Sequence, residues 1–115
     1  MQDWMLSIAK VIQASFSDIV EKIDIIQEKV RLTMNDGSYI DIIHPILNKF
    51  SYHWQTEKFI YRIDTAPHHR EIETFPRHIH FQTEENVLPD NVLGASTIEE
   101  NCTRFLNWIK SLMNS

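Results

Sequence analysis

The chain has 115 residues, 43% of them hydrophobic and 23% charged, with two glycines and four prolines; this mixture suits one folded domain over residues 1–115 and excludes a second domain or a long disordered linker. A net charge of −5 argues against a general nucleic-acid coat and against a binder of anionic membranes. Cys102 is the only cysteine, which excludes an internal disulfide and speaks against a thiolate metal site.

In chain order, Asp3 is placed to cap a short amphipathic helix with Met5, Ile8, Ala9 and Ile12 on one stripe, ending near Ser15. The acid at position 3 stands where a secretory signal would carry a basic region, and no apolar run reaches the length of a membrane span. A cytoplasmic protein with no membrane partner is the expectation. Ile19 to Gln27 and Lys29 to Met34 alternate as strands do, Val30, Leu32 and Met34 marking one face. Asn35-Asp36-Gly37 supplies residues that tolerate positive φ, so the chain should reverse there into a strand from Ser38 to Ile43, which His44-Pro45 should end.

Two further alternating runs, Phe50 to Gln55 and Phe59 to Asp64, are separated only by Thr56-Glu57-Lys58. A turn at Glu57-Lys58 sets Trp54 opposite Tyr61, His53 opposite Arg62 and Ser51 opposite Asp64. It sorts Phe50, Tyr52, Trp54, Phe59, Tyr61 and Ile63 onto an apolar face and Ser51, His53, Gln55, Ile60, Arg62 and Asp64 onto a polar one. After two proline breaks, His78-Ile79-His80-Phe81 reads as a short strand with both histidines on one side. Residues 82–95 are polar and turn-like. Ser96-Thr97-Ile98-Glu99 reads as a capping box, with Ser96 as the cap, opening a helix whose stripe is Ile98, Cys102, Phe105, Ile109, Leu112 and Met113. Trp108 falls at the edge of that stripe and is read as packing. The fold class expected is α+β: an antiparallel sheet of about five to six strands with an N-terminal and a C-terminal helix on one face.

All six histidines fall between His44 and His80, a stretch with five basic residues (Lys49, Lys58, Arg62, Arg70, Arg77) against four acids (Glu57, Asp64, Glu71, Glu73). That segment is therefore +1 and the remainder −6, so an anionic ligand would go there. The strongest constellation is His53, Arg62 and Asp64 on the hairpin, followed by His68, His69, His78 and His80. These residue types suit cleavage of an RNA phosphodiester: a base takes the 2′-hydroxyl proton, an acid protonates the leaving 5′-oxygen, and a cation steadies the phosphorane. Histidine titrates near neutrality, and arginine offers phosphate a planar fork that never loses its charge. Arg70 and Arg77 are the candidate substrate-binding cations. Asp64 could orient an imidazole, although an ion pair with an arginine is the plainer reading. The H-x-H pair of His78 and His80, with His68, His69 or an acid, could also hold zinc or a redox metal. No second compact ligand pair accompanies it, so the metal-free reading ranks first and no cofactor is expected. His44, beside a proline, reads as structural, as do Tyr52 and Tyr61. Phosphate-loop, dinucleotide, GxSxG and HExxH signatures are missing.

Tyr52-His53-Trp54, then Tyr61-Arg62-Ile63-Asp64-Thr65-Ala66-Pro67-His68-His69, then Thr74-Phe75-Pro76-Arg77-His78-Ile79-His80 resemble the TumE family of toxin–antitoxin proteins. The Asp36-Gly37-Ser38 turn is similar to it as well. The family hallmark is an R-Y-D-N-A-P-H-H block followed by T-F-P-H-H-K-H, after a Y-x-Y-H-W strand. This chain departs from it at Ile63, Thr65, Arg77 and Ile79, and carries Phe50 where tyrosine is common. The resemblance implies a small toxin neutralised by direct binding of a cognate antitoxin, with growth inhibition by RNA cleavage. It carries over to His53, Arg62, Asp64, His68, His69, His78 and His80. If Arg77 replaces a needed proton carrier, this copy is attenuated. A non-enzymatic module that binds a partner or nucleic acid through the same face is the competing class. Exposed edge strands are available for a homodimer or for antitoxin docking by strand addition.

Overall fold

In the computed structural model, which describes residues 2–114, the elements run α1 (Asp3–Ser15), β1 (Val20–Ile26), β2 (Lys29–Met34), β3 (Tyr39–Ile46), β4 (Lys49–Gln55), β5 (Ile60–Asp64), β6 (His78–Gln82), β7 (Val87–Pro89) and α2 (Ile98–Met113). The strands pair in sequence order, each antiparallel to the next, as an open meander. The α+β class and the two flanking helices are as predicted from the sequence. The sheet has seven strands rather than five or six. The added one is β7, Val87-Leu88-Pro89, which lies opposite His80, Ile79 and His78. A proline is tolerated there because the outer side of an edge strand needs no ladder donor.

Two other expectations shift for local reasons. β3 does not stop at His44-Pro45 but runs on to Ile46, because the register slips between Ile43 and Ile46 and a bulge accommodates the residue without an N–H. At the helix starts, Asp3 is the first helical residue and not the cap, so its carboxylate acts on the helix dipole. Thr97, one residue after the expected Ser96, caps α2 by accepting from the Glu100 N–H at 3.1 Å. The Asn35-Asp36-Gly37 reversal is present, with Gly37 at φ +88° and the Asp36 carboxylate accepting from the Ser38 N–H at 2.9 Å.

Alternation decides what is inside. Val30, Leu32, Met34, Ile40, Ile42, Tyr52, Trp54, Tyr61, Ile63 and Ile79 are buried on one face of the sheet, joined by Met5, Ile8 and Ile12 of α1 and Cys102, Phe105, Leu106 and Ile109 of α2. Phe59, assigned to this face by alternation, precedes β5 and is 40% exposed. Trp54 stacks on Tyr61 at 4.8 Å between ring centroids, the cross-strand pair predicted for the hairpin. Tyr52 meets Phe105 at 5.0 Å, so α2 sits over β4 and β5. Trp108 lies at the edge of its stripe, against Tyr61 and Phe81.

Among the described residues no helix covers the opposite face, and one cross-strand row on it is polar throughout. Asp24, Arg31, Asp41, His53, Arg62 and His80 are successive partners from β1 to β6. Arg31 grips Asp41 with two bonds of 2.7 and 2.8 Å. Farther along the row, the arginine of β5 and the histidine of β6 open the candidate site.

Candidate functional site

β5 presents Arg62 and Asp64 at alternate positions, and β6 presents His78 and His80 opposite them, Asp64 facing His78 and Arg62 facing His80. Because side chains alternate, the residues between them, Ile63 and Ile79, enter the core and hold the two strands in register. The irregular segment from Thr65 to Arg77 returns over this face and brings His69 against both histidines, with ring centroids 4.8 Å from His78 and 5.7 Å from His80. The turn after β6, entered through Gln82 at φ 72°, adds Glu84.

The hydrogen bonds fix the tautomers. Pro76 and Glu84 offer backbone carbonyls, which only accept, so His78 Nδ1–H donates to Pro76 at 3.0 Å and His80 Nδ1–H donates to Glu84 at 2.8 Å. Both Nε2 atoms then carry lone pairs when the rings are neutral, yet they face each other at 3.1 Å. Asp64 stands beside them, Oδ1 at 3.2 Å from His78 Nε2 and Oδ2 at 3.8 Å from His80 Nε2. Two lone pairs and a carboxylate aimed at one point repel unless a cation lies between them, whether a proton or a metal ion.

These groups are withdrawn from water: His78 is 1%, His80 5% and Asp64 7% exposed. The side chain of His69 is 29% exposed and lies 3.6 Å from Glu71, making it the entrance to the cluster. Arg62 donates through Nε to Asp64 at 2.9 Å and through its two terminal nitrogens to Glu84 at 2.8 and 2.6 Å. The Asp64 carboxylate also accepts from the Ala66 N–H at 2.8 Å. Of the two sequence readings of Asp64, the arginine ion pair is present; its oxygens also reach His78 and His80, but the Pro76 and Glu84 carbonyls orient those rings. Burial works against the Arg62 guanidinium, but its bonds to Glu84 and Asp64 outweigh it and raise its pKa above the usual value. The bond from Arg62 holds the Glu84 carboxyl below the carboxylate range, and burial pushes the His80 imidazolium down.

Of the residues singled out in the sequence, the fold gathers Arg62, Asp64, His69, His78 and His80. His53 lies one strand away beside Arg62 and meets the Gln55 side chain at 3.1 Å. His68 is exposed. Arg70 is exposed, its guanidinium 5.9 Å from the Phe75 ring. Arg77 points away, paired at 3.2 Å with the fully buried carboxylate of Asp90 in a hollow shared with Phe75, Gly94 and Asn101. Sequence reasoning missed Glu84 and the two carbonyl acceptors; Glu84 stands in a polar turn with no periodicity to mark it, and backbone acceptors leave no residue-type signal. Cys102 is buried in the core, which pushes its thiol up to about 12.

His44 sits apart from this cluster, fully buried. Its Nε2–H donates to the Leu47 carbonyl at 3.1 Å and its Nδ1 accepts from the Tyr52 hydroxyl at 2.7 Å. It is a satisfied structural histidine, as expected.

No helix among the described residues is long and apolar enough to cross a membrane. Comparison with curated proteins and with solved structures finds no match. The family model described as Toxin TumE matches residues 8–113, from α1 to the end of α2 and across every residue of the cluster. The chain belongs to the TumE toxin family, whose members imply a cognate antitoxin as partner.

Proposed function

We propose that this toxin arrests growth in the cytoplasm by cleaving RNA at the cluster of Arg62, Asp64, His69, His78 and His80, and that its antitoxin neutralises it by direct binding. The observation that carries the reading is the convergence of His78 and His80 Nε2 at 3.1 Å beside Asp64. It creates a slot for positive charge that tautomer choice cannot relieve, on a face that no helix covers. Cleavage follows attack of the RNA 2′-hydroxyl on the adjacent phosphorus. His69, at the rim, exchanges protons with the attacking or leaving oxygen, and the cation slot faces the phosphorane. In the metal-free form expected from the sequence, the slot holds one proton shared by His78 and His80, with Asp64 balancing the imidazolium. Arg62 holds the Asp64 and Glu84 carboxylates in place through its three hydrogen bonds.

The free edge strand β1, with Ile25 and Ile26 exposed at its end, supports strand addition either by the antitoxin or by a second copy in a homodimer. Inducible expression of the toxin alone, scored for growth and for RNA breakdown, tests the reading. Wild type and His68→Ala should arrest growth and fragment RNA, while His69→Ala and His78→Asn should do neither. Arrest by His78→Asn with intact RNA selects a non-enzymatic mode of binding instead.

A further inference from the structure

The cluster just described has an electrostatic peculiarity that bears on what fills its slot. With all three rings neutral, Arg62 supplies one positive charge against the carboxylates of Asp64, Glu84 and, at the rim beside His69, Glu71, leaving an excess negative charge where a phosphate diester must approach. The two Nε2 lone pairs are aimed at the same point and cannot turn away, because each ring is anchored through Nδ1–H to a carbonyl. Anchoring one imidazole nitrogen on a carbonyl so that the other is presented as a lone pair is the arrangement that metal-binding histidines use.

We infer that His78, His80 and Asp64, completed by His69, form a binding site for one divalent transition-metal ion of the zinc class. The inference rests on the proposed site but replaces the shared proton with a metal and makes His69 a ligand in place of its proton-exchange role.

The spacing matches a coordination shell. An ion about 2.05 Å from each Nε2, given their 3.1 Å separation, would see them at an angle of about 98°, and a tetrahedral angle needs them only about 0.3 Å farther apart. Asp64 Oδ1, 3.2 Å from His78 Nε2, supplies a further edge of that size, while Oδ2 stands farther off, 3.8 Å from His80 Nε2. One ring nitrogen each of His69, His78 and His80 falls within 4.8 Å of the others, so a side-chain adjustment of the partly exposed His69 closes the set. Three imidazoles and one carboxylate select a borderline ion such as zinc over magnesium or calcium, which prefer all-oxygen shells. Bound there, a divalent ion cancels the excess negative charge and places a local positive centre where phosphate approaches.

The test is titration of chelator-stripped protein with Zn²⁺ by calorimetry, and with Co²⁺ by visible absorption. One equivalent should bind, Co²⁺ should give the intense bands of a four-coordinate site, and an excess of Mg²⁺ should not compete. His78→Ala and the rim variant His69→Ala should each weaken Zn²⁺ binding at least about tenfold; His69 is exposed enough that its loss leaves the fold intact by circular dichroism. Cys102→Ala, which removes the only thiol, should bind as wild type does. Absence of binding, or binding unchanged in both histidine variants, overturns the inference. RNA cleavage that persists in chelator by a protein that binds no Zn²⁺ overturns it while leaving the RNA reading in place. One bound equivalent in a protein without ribonuclease activity upholds the site and removes the RNA reading.

Discussion

Two kinds of buried histidine occur in this chain, and their partners separate structure from chemistry. The His44 ring has a donor on one side and an acceptor on the other, so its neutral form is complete and protonation would break the bond from Tyr52. Burial holds its pKa below the ordinary 6.5, against weaker upward pulls from the Leu47 carbonyl and Glu99. The unfolded chain, with the ordinary value, takes up the proton first as the pH falls. Stability from this group is therefore fully present above pH 6.5 and declines with acidification below it, by no more than about 1.4 kcal/mol per pH unit. Urea unfolding across that range should show the decline in wild type and a shallower one in His44→Gln, whose amide can still donate and accept. Equal slopes would remove His44 from the account. For His78 and His80, the neutral forms are incomplete, which is the ground for proposing them as reacting groups.

At the scale of elements, the loop between β7 and α2 offers a direct check. Gly94 has φ +107° and a Cβ there would lie 2.2 Å from Arg77 Nη1, so Gly94→Ala meets an unfavourable backbone and must displace a guanidinium bound to buried Asp90. A cost of about 1–3 kcal/mol is expected in thermal or urea unfolding, and no loss would show that the Arg77–Asp90 pair contributes nothing there. The β4–β5 hairpin was legible in the sequence down to its register, because a period of two and a two-residue turn admit one pairing. β7 was not, since three residues ending in proline carry no periodicity. The site was legible in part. Alternation put Arg62 with Asp64 and His78 with His80, but the path of residues 65–77 depends on backbone turns such as that from His68 N–H to Ala66 O. Adjacent His68 and His69, alike in sequence, are split by that path, one to solvent and one to the cluster.

On the scale of the whole molecule, one sheet face is covered by two helices and the other is left to polar chemistry, so core and site share the same strands. Ile63 is fully buried between Arg62 and Asp64, and its cross-strand partner Ile79 lies between the two site histidines. Ile63→Ala should cost about 2–5 kcal/mol of stability, read as a lowered unfolding midpoint, and should loosen the His78–His80 juxtaposition with it; a midpoint like that of wild type would contradict this packing. In the proposed function, the convergent imidazoles beside Asp64 are where this toxin acts. The most direct test of that proposal is cleavage of a defined RNA oligonucleotide by purified wild type and by folded His78→Asn. Wild type should leave 2′,3′-cyclic phosphate ends, and the variant should be slower by about 100-fold or more. Equal rates in the two proteins, or no cleavage by a wild type that still arrests growth, would contradict it.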